Sequence, residues 1–209
     1  MKESGAVTGQ FKADAAELIT PAPKAVPTNL SQSTSALPRF QQIKSPIEQE
    51  TILKGRSIIR RYSINQEFVN APLRSGKLSP TTKEEVDLAV AFLESLDSYV
   101  GTVQRGVHFN DEMIQELRKL VGGCFCDPAF LSTTKKPLKD LGGFRDRNCH
   151  FIIESKKKGK SIVRFVSKHK MREDEVLFPP GTNFRLTSIQ EFPDKKYGRY
   201  VIHMEEIVP

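Results

Sequence analysis

Apolar residues recur at helical spacing in the first half of the chain and at strand spacing in the second. Ser45-Pro46-Ile47-Glu48 reads as a helix start. Ser45 can cap, Pro46 suits the first helical position and Glu48 can close a capping box, with the helix running toward Tyr62. A Leu73-Arg74-Ser75-Gly76 turn follows, and Ser79-Pro80 opens a second helix on which Val86, Ala89, Val90 and Leu93 share a face. Asn110 caps a third helix, with Met113, Leu117 and Leu120 on one side and Gly122-Gly123 as its stop. Strands are predicted at Thr102–Val107, Ala129–Thr133, His150–Ile153, Ser161–Phe165, Glu175–Phe178, Asn183–Glu191 and Tyr200–Ile207, all short and rich in β-branched or aromatic residues. Helices come mostly first and strands last, so the class is α+β. There is no GxGxxG and no Walker loop, so a nucleotide site must use another architecture.

The first 40 residues break this pattern. They hold Pro21, Pro23, Pro27 and Pro38 and eight Ser/Thr, and their one local motif is the stripe Phe11, Ala15, Leu18, Ile19. Residues 1–40 therefore read as a flexible leader with at most one docking helix; a tail packed on its own domain is the alternative. Removing it leaves residues 41–209 of the 209 as one domain. No run approaches ~18 apolar residues, and the first 30 lack the apolar core of a secretory signal, so neither a membrane span nor Sec-type export is expected. The three cysteines, Cys124, Cys126 and Cys149, match neither a disulfide framework nor a paired zinc site. They read as reduced thiols with no metal role.

Charge sharpens the picture because it is uneven. The net +7 divides into +10 between Lys135 and Arg172 and −3 everywhere else. The run Lys156, Lys157, Lys158, Lys160 fits a solvated hairpin turn; it also fits a field that attracts a polyanion, whether nucleic acid or a pyrophosphate.

Four short pieces carry candidate chemistry: Val69-Asn70-Ala71-Pro72-Leu73-Arg74, Val103-Gln104-Arg105-Gly106, Phe130-Leu131-Ser132-Thr133-Thr134, and Glu173-Asp174-Glu175 running into Val-Leu-Phe-Pro-Pro-Gly-Thr. The Glu pair opens a strand, so alternation puts Glu173 and Glu175 on one face, with Cα atoms about 6.6–6.8 Å apart, and Asp174 points away. Two carboxylates so placed suit an anomeric carbon that becomes oxocarbenium-like. A solvated strand edge is the plainer alternative.

In this order and at these gaps, the pieces resemble the arginine-specific mono-ADP-ribosyltransferases of the R-S-E class, particularly bacterial toxins and type III effectors. The resemblance covers roughly residues 45–208 and includes Tyr62 ahead of Asn70 and Gly159-Lys160-Ser161-Ile162 ahead of the Glu pair. It implies an ADP-ribosyltransferase-like fold, with N-terminal helices packed on two roughly perpendicular, mainly antiparallel sheets around an NAD cleft. It implies NAD+ as co-substrate and no metal.

The site residues follow from the resemblance. Arg105 would neutralise the NAD phosphates through its fork of donors, or else be a surface strand-end arginine. Arg74 would assist there or form a helix-terminal salt bridge. Gly106 would let its backbone approach the nicotinamide. Asn70 and Thr133 belong to the cofactor-binding set, although Thr133 and Thr134 also suit strand formation. Ser132 would serve the nicotinamide ribose and hold Glu175. Phe144 would cover the nicotinamide or simply pack. Glu175 would hold the ribose 2′-hydroxyl and face the developing cation, while Glu173 would orient the incoming arginine and take its proton.

Two departures concern target recognition: Gln104 stands where an aromatic often precedes Arg-Gly, and Lys168-His169-Lys170-Met171-Arg172 lacks an aromatic. His169 is read as an exposed loop residue or a target contact. The implied partners are a host protein with an accessible arginine and a secretion chaperone on residues 1–40, with a monomeric enzyme acting in host cytosol. Nucleic acid is not expected, because the basic stretch has no Trp or Tyr for base stacking. Two readings compete with arginine transfer: NAD hydrolysis at the same residues, and an inactive basic module that binds a protein or nucleic acid.

Overall fold

The computed structural model describes residues 45–140, 145–166 and 173–208. The leader and its helical stripe lie outside the described residues. Helix α1 (Pro46–Tyr62) starts at the expected capping box: Glu48 N–H donates to Ser45 Oγ and Ser45 N–H to Glu48 Oε2, at 3.3 and 2.7 Å. Helix α2 (Glu67–Ser75) was not expected. It begins at Gln66 without a side-chain cap and contains Pro72, so it lacks a start signal and carries a breaker. Its end is conventional, with Gly76 left-handed at φ 66°. Helix α3 (Pro80–Glu94) is capped by Ser79 and α4 (Asp111–Lys119) by Asn110, both as the sequence suggests.

Among the described residues eight strands follow from position 101 onward: β1 (Gly101–Val107), β2 (Cys124–Asp127), β3 (Leu131–Thr134), β4 (Cys149–Ser155), β5 (Lys160–Ser161), β6 (Glu175–Phe178), β7 (Thr182–Glu191) and β8 (Tyr200–Glu206). β2 was not anticipated, because Cys-Phe-Cys-Asp is too short to show a period. The strand expected over Ser161–Phe165 is only two residues long and gives way to a 3₁₀ turn at Val163–Phe165.

The strands form one hydrogen-bonded sheet, ordered β2-β7-β8-β4-β1-β3-β6-β5, rather than two detached ones. Every pairing is antiparallel except β4 with β8. The sheet has a waist where β1 meets β3, in register only at Gln104–Thr134. Each side of the waist has its own core. Ile59, Val69, Phe92 and Leu93 of the helices α1–α3 pack with Phe130, Ile162 and Leu177, whereas Ile114 and Leu117 of α4 pack with Phe151, Phe184 and Ile202. α1 and α3 touch closely at Gly55, where an added Cβ would lie 2.1 Å from the Leu88 carbonyl oxygen.

The lysine run is a turn built around an acid. Fully buried Glu206 accepts the backbone N–H groups of Lys156, Lys157 and Lys158 at 2.7–2.9 Å. Lys156 Nζ pairs with Glu205, and Lys160 Nζ donates to the Leu96 carbonyl and Ser98 Oγ. Those two cations therefore have structural partners.

Candidate active site

The waist brings together the candidate residues. Arg105 on β1 donates from Nη1 to the Ser132 carbonyl of β3 at 2.6 Å. The Ser132 hydroxyl donates to Glu175 Oε1 of β6 at 2.5 Å. Glu175 is 4% exposed, a low value for a carboxylate. These three side chains and Glu173 line a cleft of about 160 Å³ together with Tyr62, Ser63, Ile64 and Gln66, from the end of α1 and the link to α2. A larger hollow of about 340 Å³, between α1 and α3 around Thr51, Pro80 and Leu88, holds no comparable pairing of acid and guanidinium.

Glu173 reaches the cleft by a different route from the one expected. Strand β6 begins at Glu175, so Glu173 stands in the preceding turn, and Asp174 is left-handed at φ 49°. Asp tolerates that conformation better than most residues. The turn is clamped to the end of β3: Thr134 Oγ1 donates to the Glu173 carbonyl, Lys135 N–H to the Asp174 carbonyl, and Lys135 Nζ pairs with Asp174 at 2.6 Å. Both glutamates share the cleft because a turn re-aims Glu173, not because strand alternation does.

The electrostatics agree with a buried charged centre. Burial pulls the Arg105 guanidinium below its ordinary value, while Tyr62, Asp127 and Glu175 oppose the shift. Guanidinium stays charged under such shifts. Burial, then the charge of Glu175, pushes the Tyr62 phenol up, so it remains a neutral donor.

No protein-family model matches the chain. A Mycobacterium avium (strain 104) protein, named by inference as NAD(+)–arginine ADP-ribosyltransferase Mav, is 31% identical over 140 residues, 66% of this chain. The chain spans only 16% of that relative's length. Among solved structures, the type III effector XopAI from Xanthomonas axonopodis pv. citri superposes with a TM-score of 0.59 at 23% identity, covering 74% of this chain and 66% of that one. An ADP-ribosyltransferase from Clostridium botulinum gives 0.61 at 14% identity, covering 82% and 99%. The chain belongs to the ADP-ribosyltransferase fold.

Within the ADP-ribosyltransferase fold, several expected residues have other duties. Asn70 is fully buried: Nδ2 donates to Tyr62 Oη (3.2 Å) and the Phe130 carbonyl (3.3 Å), and Oδ1 accepts Phe130 N–H (3.1 Å). Its amide ties α2 to the start of β3 and has no donor left for a cofactor. Thr133 is likewise committed, its hydroxyl donating to the Val176 carbonyl. Arg74 makes the salt bridge named as its alternative, Nε and Nη2 donating to the two oxygens of Asp127 at 3.3 and 3.0 Å. Gly106 is buried on β1 opposite His150. Phe144 and His169 lie outside the described residues. Gln104 Oε1 accepts Leu138 N–H and steadies the segment after β3.

Sequence reasoning missed Ser63, Ile64 and Gln66. They span the end of α1 and the link to α2 and carry no motif; their one signal is position, within four residues of Tyr62. Cys149 is buried and its thiol is pushed up to about 12, while burial also raises Cys124 and Cys126, so none is an activated nucleophile. Among the described residues no group of three or more His, Cys, Asp and Glu could hold a metal, and no helix is long and apolar enough to cross a membrane.

Proposed function

We propose that the chain is an NAD-dependent mono-ADP-ribosyltransferase that modifies arginine on a protein, with NAD as co-substrate. The observation that carries this reading is the buried Glu175, held by Ser132 and sharing a cleft with Arg105 and Glu173. Arg105 supplies a permanent cation for the dinucleotide's phosphates, and Gly106 beside it has no side chain to obstruct the nicotinamide. The cleft admits one end of such a molecule, since whole-ligand pockets start near ~300 Å³. Glu175 accepts the ribose 2′-hydroxyl and faces the cation at C1′. The C1′–N bond breaks with its electron pair leaving on nicotinamide, a guanidinium nitrogen bonds to C1′, and Glu173 takes the proton. A guanidinium with a pKa above ~12 needs such a base.

Similarity to a type III effector supports delivery into a host cell; a monomeric enzyme with residues 1–40 as its export leader completes this proposal. The test is labelled NAD with host-cell lysate, comparing wild type with Glu175→Gln and Glu173→Gln. Glu175→Gln is expected to lose about 10²–10³ in rate, the usual cost of one preorganised electrostatic group. Glu173→Gln is expected to lose hydroxylamine-labile protein label while still releasing nicotinamide. Nicotinamide release without protein label from wild type would favour hydrolysis, and no NAD turnover would overturn both enzyme readings.

A further inference from the structure

A basic stripe on α1, the helix whose end lines the cleft, is not used by the chemistry above. Arg56 and Arg60 are exposed on α1, and Ile64, 72% exposed, follows them at the cleft. A step of four residues turns a helix by only about 40°, so Arg56 and Arg60 lie on one stripe of α1, and Ile64 follows in the turn after the helix ends at Tyr62. The geometry is anchored at both ends. Arg56 Cζ sits 5.5 Å from the centroid of the Phe165 ring, exposed Arg164 precedes Phe165 in the chain, and the Ser63 hydroxyl donates to the Arg60 carbonyl while Ser63 itself lines the cleft. Among the described residues none of these three guanidinium groups pairs with a carboxylate, whereas nearby Arg61 is paired with Glu85 and Lys135 with Asp174.

A cationic rim is a paradox for an enzyme whose acceptor is itself a cation. It repels a bare guanidinium and attracts one that arrives in acidic surroundings. We propose that this rim selects acceptor arginines flanked by Asp or Glu, with Arg56, Arg60 and Arg164 engaging the flanking carboxylates and Ile64 giving the acceptor segment an apolar seat. The inference rests on the arginine-transfer reading. Charge complementarity of this kind acts chiefly on encounter and register, so it acts on kcat/KM and fades with salt.

The experiment uses the full chain, NAD and three peptides of one arginine flanked by Glu, Ala or Lys, with agmatine as the unflanked acceptor. The Glu-flanked peptide is expected to exceed the Ala-flanked one about tenfold in kcat/KM, the low end of electrostatic steering. The Lys-flanked peptide should fall below both, and the spread should shrink as ionic strength rises from about 0.01 to 0.15 M. Arg56→Glu/Arg60→Glu is expected to abolish the preference, Arg56→Lys/Arg60→Lys to retain most of it, and both to leave agmatine modification within about twofold of wild type or, for the Glu pair, faster. Equal rates on all three peptides with agmatine turnover intact overturn this inference and spare the transfer reading; no turnover of NAD overturns both. An RNA oligomer that binds wild type but not Arg56→Glu/Arg60→Glu, and does so where the peptide preference is absent, assigns the stripe to RNA and overturns the proposal.

Discussion

Replacing Asn70 by Ala separates a structural duty from a cofactor-binding one. Truncation removes two donors and an acceptor at a fully buried position and leaves the Phe130 N–H, the Phe130 carbonyl and the Tyr62 hydroxyl facing a small void. A buried polar group left unpaired costs about 1–3 kcal/mol. Tyr62 keeps its long contact to Gln66, so the two Phe130 groups dominate and the sum is about 2–6 kcal/mol. For a domain of this size each kcal/mol lowers Tm by roughly 2–4 °C, so the variant should melt about 4–24 °C early. The assay is thermal unfolding by circular dichroism, paired with NAD turnover measured well below the variant's own Tm. The expected KM for NAD stays within about threefold of wild type, because the Asn70 amide has no donor left for ligand. An unchanged Tm together with a KM raised about tenfold or more would show that Asn70 touches NAD and that the accounting of its hydrogen bonds is wrong.

Other perturbations follow from the same packing. Gly55→Ala would place a methyl group 2.1 Å from the Leu88 carbonyl, so α1 and α3 must part; a substitution that gains about 1 kcal/mol in an open helix should here cost about 3 kcal/mol, read as a lower urea midpoint. Arg74→Lys loses the two-point fork to Asp127 and should lower stability by about 1–3 kcal/mol, with little change in KM for NAD measured by steady-state kinetics. The Cys149 thiol, pushed up to about 12 by burial, should resist iodoacetamide at pH 8 in the folded protein and react once urea unfolds it. Because its folded value lies above its unfolded one, its contribution to stability is complete below about pH 8.5 and is lost as pH rises toward 12, which a Cys149→Ala comparison of alkaline unfolding would isolate.

What the sequence made legible follows the range of the forces involved. Ser45, Ser79 and Asn110 announce their helices because a cap is a bond between residues three apart. α2 stayed hidden because it has no cap and holds Pro72, yet packing recruits it: Val69 and Asn70 are buried. Tertiary contact overrode local propensity there. At the site, Arg105, Ser132 and Glu175 were named through motif order, although 27 and 43 residues separate the bonded pairs. The turn that aims Glu173 could not be read, because it depends on Thr134 and Lys135 gripping the backbone of Glu173 and Asp174 from another strand.

The waist explains why the candidate chemistry collects where it does. Past the Gln104–Thr134 pair, β1 and β3 share no further register, and their next link is the Arg105 guanidinium on the Ser132 carbonyl. A side chain thus stands where a ladder bond would in a continuous sheet. From the same residue the Ser132 hydroxyl donates to Glu175, and both partners line the cleft beside the end of α1. That replacement also gives Arg105 two duties, one toward the sheet and one toward the proposed phosphates, and a planar fork with five donors can serve both. Lysine, with one nitrogen on a flexible stem, cannot hold the Ser132 carbonyl and span two phosphates in a fixed geometry. The requirement for arginine at this position is therefore as much architectural as electrostatic.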